Sequence, residues 1–166
     1  MKLRRNPPVC LLISFVRLFT GRLVFSHSFI SRTIITDQGE GFTVFRHVKT
    51  TDHAASRPGT VLLIRFRFNS LPDALNRFIS LFPMLLITGF PGFIAKLYAV
   101  NRENGYWMGL YEWESPGALE AYRKSFVLGM MNKRAAADSV RYNVLPDTNI
   151  EEYMQAHVQQ EGETHE

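Results

Sequence analysis

A chain of 166 residues is long enough for one domain with a real core and short for two. Hydrophobic residues at 46% and charged residues at 20% exclude a disordered chain, and the single cysteine, Cys10, excludes an internal disulfide and suits a reducing compartment. The net charge of +4 is uneven: the first fifty residues carry bases from Lys2 to Lys49 against only Asp37 and Glu40, whereas the tail after Pro146 is purely acidic.

Residues 1–57 read as an arm. The opening MKLRRNPPVCLLISFV resembles a secretory leader, but the apolar run 9–16 is short, and Arg17 and Arg22 stand where a small-residue cleavage site would be needed. The same arginines exclude a membrane span, which takes about 20 apolar residues. The pattern predicts a helix over 8–25 with Leu and Phe on most of its surface and Ser14, Arg17 and Gly21 on a narrow polar stripe. Such a helix packs against its own domain or lies in a membrane interface, so a cytoplasmic protein with peripheral membrane contact through residues 8–25 is expected. Runs at 33–36 and 42–48 flank Asp-Gln-Gly-Glu-Gly and predict a β-hairpin, and 51–59 has linker composition.

Residues 58–146 read as the domain proper. A strand is predicted over 60–68, with Leu62, Ile64, Phe66 and Phe68 on one side and Leu63, Arg65, Arg67 and Asn69 on the other. Ser70 is the expected N-cap of a helix over 71–86 bearing Leu75, Phe78, Ile79 and Phe82 at helical spacing, with Pro83 kinking or ending it. Strands follow at 93–101 and 106–113 across a tight Arg-Glu-Asn-Gly hairpin. Ser115 and Pro116 open a second helix with Leu119, Tyr122, Phe126 and Met130 as its buried stripe, and a fourth strand spans 138–145. This βαββαβ order is the α+β, ferredoxin-like arrangement: a four-stranded antiparallel sheet with both helices on one face. The other face is too apolar to leave in water, so a homodimer packed sheet to sheet, with a ligand cavity between, is expected. Residues 147–166 form an acidic tail in which Ile150, Tyr153, Met154, His157 and Val158 mark a short helix, a lid or dimer clasp.

The segments PGFIAKLYAV (91–100) and GYWMGLYEWESPGALEAYRKS (105–125) resemble the dimeric α+β barrel superfamily of antibiotic-biosynthesis-type and haem-degrading monooxygenases. The shared features are a Pro-Gly-Phe entering the second strand, a Trp-Glu-Ser ending the third and an Ala-x-x-Ala-Tyr helix. The resemblance implies a pocket between the helices and the helix-free sheet surface, matches Trp113 to the family's strand-ending Trp, and sets Asn69 near the position where haem-degrading members place an asparagine. Those members take haem on a histidine of the helix after the third strand. Residues 115–137 contain none, so no cofactor is expected and haem stands against the sequence.

The residues themselves supply candidates of two kinds. Arg65 and Arg67 share one side of a central strand, where a guanidinium needs an anionic substrate group or a carboxylate; with Asn69 they are the candidate catalytic groups. Trp107, Tyr111 and Trp113, of one parity on the third strand, are either the wall of an aromatic substrate pocket or plain core, and Lys96, Tyr98 and Asn143 are further substrate-binding candidates. The five histidines show no metal-ligand spacing, and no triad, P-loop, dinucleotide or nucleic-acid motif appears. The expected function is cofactor-independent, monooxygenase-like chemistry on a small aromatic or polycyclic molecule, in a cavity bordered by Arg65 and Trp113. The alternative is a non-catalytic ligand-binding, protein- or membrane-interaction module.

Overall fold

The computed structural model describes residues 6–51, 59–68 and 72–158. Helix α1 (Pro7–Phe19) opens on two prolines whose fixed φ suits a first turn. It ends six residues earlier than expected, because Gly21 takes a φ of +69° and turns the chain into strand β1 (Leu23–Phe25). The predicted hairpin forms from β2 (Thr33–Ile35) and β3 (Gly41–Thr50), paired Ile35 to Gly41.

Then come β4 (Gly59–Arg67), α2 (Asp73–Ile79), α3 (Leu81–Thr88), β5 (Phe93–Val100), β6 (Tyr106–Trp113), α4 (Pro116–Arg123), α5 (Phe126–Arg134), β7 (Arg141–Thr148) and α6 (Ile150–His157). The expected N-cap Ser70 lies outside the described residues. All strand pairs are antiparallel, in the order β1-β3-β5-β6-β4-β7 with β2 on β3. Its β5-β6-β4-β7 portion is the predicted ferredoxin-like sheet. The arm extends that sheet, because β3 pairs along β5 from Thr43–Val100 to Lys49–Ala95. At the opposite edge, β7 accommodates Pro146, which an edge strand tolerates since one side of its backbone needs no donor.

Both predicted domain helices are divided, at Ser80 and at Ser125: Ser80 stays helical and the bonds from Ser80 to Asn76 and from Met84 to Ser80 carry the phase across it, whereas Ser125 is extended and resets the phase. Ser115 caps α4 as expected, its Oγ accepting from the Ala118 amide at 3.2 Å, and Leu119 and Tyr122 are buried. Phe126, expected in the same stripe, is instead 65% exposed. The α2 stripe is likewise reversed: Leu75, Phe78 and Phe82 face outward while Asn76 and Ser80 are buried. Helix α1 shows the same inversion. Ser14 is fully buried and donates to the Leu85 carbonyl, Arg17 donates to the Thr88 carbonyl, and Leu12, Phe15, Val16 and Phe19 point away from the protein. Gly89 permits this contact: a Cβ there would lie 1.8 Å from the Cys10 carbonyl oxygen.

Two cores result. One, between the sheet and the helix layer, contains Leu62, Ile64, Phe66, Phe90, Trp107, Tyr111, Trp113 and Tyr122. The other covers the far face, where Ile150 and Met154 of α6, with Ile34 and Phe42, pack on Val61, Leu97, Ala99 and Leu110. The apolar far face that called for a second sheet is thus covered over much of its area by the chain's own C-terminal helix. Asn149 caps α6, accepting from the Glu152 amide at 2.8 Å, and the half-buried Glu112 carboxylate accepts from the Ile150 amide at 3.1 Å.

Candidate functional site

Register decides which candidates meet. Residues opposite one another in an antiparallel pair point to the same face. Leu62 opposes Tyr111, Phe66 opposes Trp107, and Lys96 and Tyr98 oppose Tyr111 and Gly109, so all of these side chains face the helices. Arg65 opposes Met108 and Arg67 opposes Tyr106 on the far face. The expectation that Arg65, Arg67 and Trp113 share the helix-free face is therefore corrected: the arginines lie with Tyr106 on one side of the sheet, and Trp107, Tyr111 and Trp113 lie on the other. A cavity bordered by Arg65 and Trp113 is excluded by the same geometry.

Arg65 is paired within the chain. Arg65 forms an ion pair with Glu40, with an Nη2–Oε1 contact of 2.7 Å, and stacks over Tyr106 at 4.4 Å. Arg67 is exposed, its guanidinium 5.7 Å from the Tyr106 ring centre. Asn69 lies outside the described residues. Asn143, on exposed β7, shares the far face with Arg65 and Arg141, where β4, β7 and α6 frame an open groove of about 720 Å³. Trp113 is core: fully buried, stacked on Tyr122 at 4.7 Å and met edge-on by Phe90 and Phe93.

The remaining candidates, Lys96, Tyr98, Trp107 and Tyr111, converge. With Phe66, Gly109, Met131 and the half-buried Phe68, Pro83, Met130 and Arg134, they line an enclosed cavity of about 30 Å³ between sheet and helices. That space holds one or two water molecules. Gly109 forms part of its floor, because the Tyr111 ring lies over it; a Cβ there would come within 2.6 Å of that ring. The Tyr111 hydroxyl donates to Met131 Sδ at 3.3 Å, while the buried Tyr98 hydroxyl has no hydrogen-bond partner among the described residues. Phe68 and Trp107, edge to face at 5.0 Å, also wall an open cleft of about 690 Å³ at the end of the sheet, which carries Asn76, Arg77, Asn101 and Arg102.

Lys96 is the unusual group. It is 3% exposed, and its Nζ sits 4.0 Å from the Tyr98 ring centre and 4.1 Å from that of Tyr111. No carboxylate lines the cavity. Burial, with a contribution from the Arg46 guanidinium, lowers the Lys96 pKa well below the ordinary lysine range. Arg46 itself is tied down, donating to Ser80 Oγ at 2.8 Å and to the Arg77 carbonyl at 3.0 Å. Burial raises the Tyr98 and Tyr111 hydroxyl pKa values, so both phenols stay protonated. Sequence reasoning named Lys96 and Tyr98 but not Arg46 or Arg134, whose relation to the cavity is set by long-range strand pairing and the α5 break.

No histidine lines the cavity, and α4 and α5 carry none, so this cavity offers haem no histidine ligand. Among the described residues no group of three or more His, Cys, Asp or Glu is placed to hold a metal ion.

The architecture is similar to that of a monooxygenase-like protein from Listeria innocua, at 8% identity and a TM-score of 0.52 over 69% of this chain and 68% of that one. A haem-degrading enzyme from Listeria monocytogenes superposes more loosely, at 10% identity and a TM-score of 0.49 over 78% of this chain and 90% of that one. So does a ferredoxin-fold protein from L. monocytogenes related to antibiotic biosynthesis monooxygenases, at 10% identity and 0.48 over 82% and 89%. No protein-family model matches the sequence, and no curated protein does. Similarity at this level shows the fold alone: a ferredoxin-like α+β domain.

Proposed function

We propose that the protein is a cofactor-independent, monooxygenase-like enzyme whose substrate, a small aromatic or polycyclic molecule, occupies the cavity between sheet and helices. The observation that carries this reading is the enclosed, aromatic-walled cavity with a single buried amine. Water exclusion and ring stacking suit an electron-rich arene that reduces dioxygen itself. In the balanced reaction a substrate CH2 becomes a carbonyl; one oxygen atom enters the product, the other leaves as water, and the substrate supplies all the electrons. At its present size the cavity is smaller than one aromatic ring. Entry requires Met130 and Met131, both flexible, to give way, or Phe68 to swing and join the cavity to the adjoining cleft, which Arg77 and Arg102 line.

The test is oxygen uptake by the full-length protein with a panel of hydroxylated arenes, with 18O2 tracing by mass spectrometry and tryptophan quenching to report binding. One labelled oxygen in the product, lost on narrowing the cavity by Gly109→Val but retained in Arg65→Ala, is the expected result. Failure of every arene to bind overturns the assignment; binding without oxygen uptake leaves a non-catalytic binding module.

A second reading, membrane docking, is favoured by the inverted helices. Helix α1 turns its polar stripe inward and shows Leu12, Phe15, Val16 and Phe19 to the outside, and the first acidic residue of the chain is Asp37. Phe78, Phe82 and Phe126 lie outward on the same helix layer. An exposed apolar surface on a segment whose sequence is basic suits an anionic bilayer. No helix among the described residues is long and apolar enough to cross one. Co-sedimentation with vesicles containing phosphatidylglycerol is expected for the full chain and lost in a Phe15→Ser/Phe19→Ser variant; equal sedimentation of both proteins would sink this reading.

A further inference from the structure

We propose that Lys96 is the proton acceptor of the cavity, and that the ligand is a hydroxyarene or enol taken up as the neutral acid and held as its anion beside the newly formed ammonium. The inference deepens the cavity reading above and rests on it.

The geometry is that of a site waiting for a counter-ion. Lys96 lies on central strand β5 with its Nζ between two tyrosine rings, and every charged group near it is a cation: Arg46 from β3 and Arg134 from α5. Tyr98 and Tyr111 are the other titratable groups facing it, and both are protonated phenols. An ammonium in this setting lacks an anion, so the resting side chain is an amine with a free electron pair. A fully buried, unpaired lysine is costly to retain, and a plain core would be better served by Met or Leu.

A ligand hydroxyl changes this balance. Its O–H bond breaks, the proton goes to Nζ, and the oxygen keeps the electron pair as a phenolate or enolate. The ammonium then gains what it lacked: an anion in contact, and the faces of Tyr98 and Tyr111 already at cation–π distance. The Tyr98 hydroxyl, unpartnered and buried against the cavity, is available to donate to the ligand oxygen. No oxidant or co-reactant enters, because the step is proton transfer alone. It also selects the substrate class, since an arene without an acidic hydroxyl leaves the amine unpaired.

The experiment uses 4-nitrophenol, whose phenolate absorbs in the visible range, as the probe. Tryptophan quenching reports binding and absorbance reports ionisation. Bound to the wild-type chain, the probe is expected to show at least about tenfold more phenolate relative to phenol than the free probe at the same pH, equivalent to one pKa unit. Lys96→Met is expected to bind it as the neutral phenol, and Lys96→Arg, a permanent cation that takes no proton, to bind anions without the accompanying proton uptake. A wild-type signal from [13Cε]lysine that moves from the amine to the ammonium position on probe binding tests the same claim without any variant. Binding without ionisation, or ionisation undiminished in Lys96→Met, overturns the role of Lys96 and leaves the cavity reading intact; absence of binding overturns both.

Discussion

Lys96 and His47 occupy opposite faces of the sheet and share one physical situation, a base held neutral by burial. The native chain keeps the Lys96 amine unprotonated while the unfolded chain protonates it up to about pH 10.4, so the unfolded state binds the extra proton and stability rises with pH through that window. Lys96→Met removes this penalty. Urea denaturation at neutral pH is expected to show the variant more stable by about 1–3 kcal/mol, with the gap closing as pH approaches 10. His47, 3% exposed against Phe29, has its pKa lowered from 6.5 to about 4, chiefly by burial and further by Lys49. Its native pKa is the lower one, so stability is unaffected above pH 6.5 and falls as pH drops from there to 4. The loss amounts to roughly 3 kcal/mol and is expected to disappear in His47→Leu, as thermal melts across that range would show.

The helices show how amphipathicity can be read correctly and oriented wrongly. Ser14 and Arg17 do form a polar stripe on α1, but they find carbonyl acceptors at the end of α3, and Gly89 lets the backbones close. A polar stripe that satisfies buried backbone carbonyls packs inward, and the apolar remainder is left outside. Gly89→Ala is expected to force α1 off α3 and to cost about 1–3 kcal/mol by overpacking, detectable as loss of amide-exchange protection confined to α1. Phe19→Ser, on the exposed side, should change stability by less than about 0.5 kcal/mol in the same measurement. In α5 the error was one of phase, because the extended Ser125 restarts the helix. In α2 and α3 it was one of orientation: Leu75, Phe78 and Phe82 do share a face, but that face turns outward, and Asn76, Ser80 and Met84, four residues apart, take the inward positions.

Helix α6 alters the logic of the whole molecule. It covers the half of the far face formed by β5 and β6, the surface whose exposure had argued for a second sheet. A homodimer stays our proposal for the assembly, and it would use the exposed β7 edge and the groove beside Arg65, Asn143 and Tyr153. Met154 is completely buried in this contact, and Met154→Ala is expected to cost about 2–5 kcal/mol. Removal of residues 150–158 would expose Val61, Leu97 and Leu110 and is expected to increase concentration-dependent association in sedimentation velocity.

Local rules were enough for the hairpins, the Ser115 cap and the βαββαβ order, because β-branched alternation, turn glycines and cap residues act over a few positions; they missed β1, read as the end of the first helix, and set β7 three residues early. Parity along one strand was enough to group Trp107, Tyr111 and Trp113; Lys96 and Tyr98, expected on the side of Arg65 and Arg67, join Trp107 and Tyr111 only through the pairing of β5 with β6. The grouping of that set against Arg65 and Arg67 was decided by tertiary structure alone. A shift of one residue in the pairing of β4 with β6 would carry each side chain to the other face, and that register joins segments 39 (Arg67 to Tyr106) to 53 (Thr60 to Trp113) residues apart in the chain. The same holds for the closure of the far face by α6 and for the direction in which α1 turns its stripe. In each case the sequence presents an amphipathic surface, and only the packed molecule determines what lies against it.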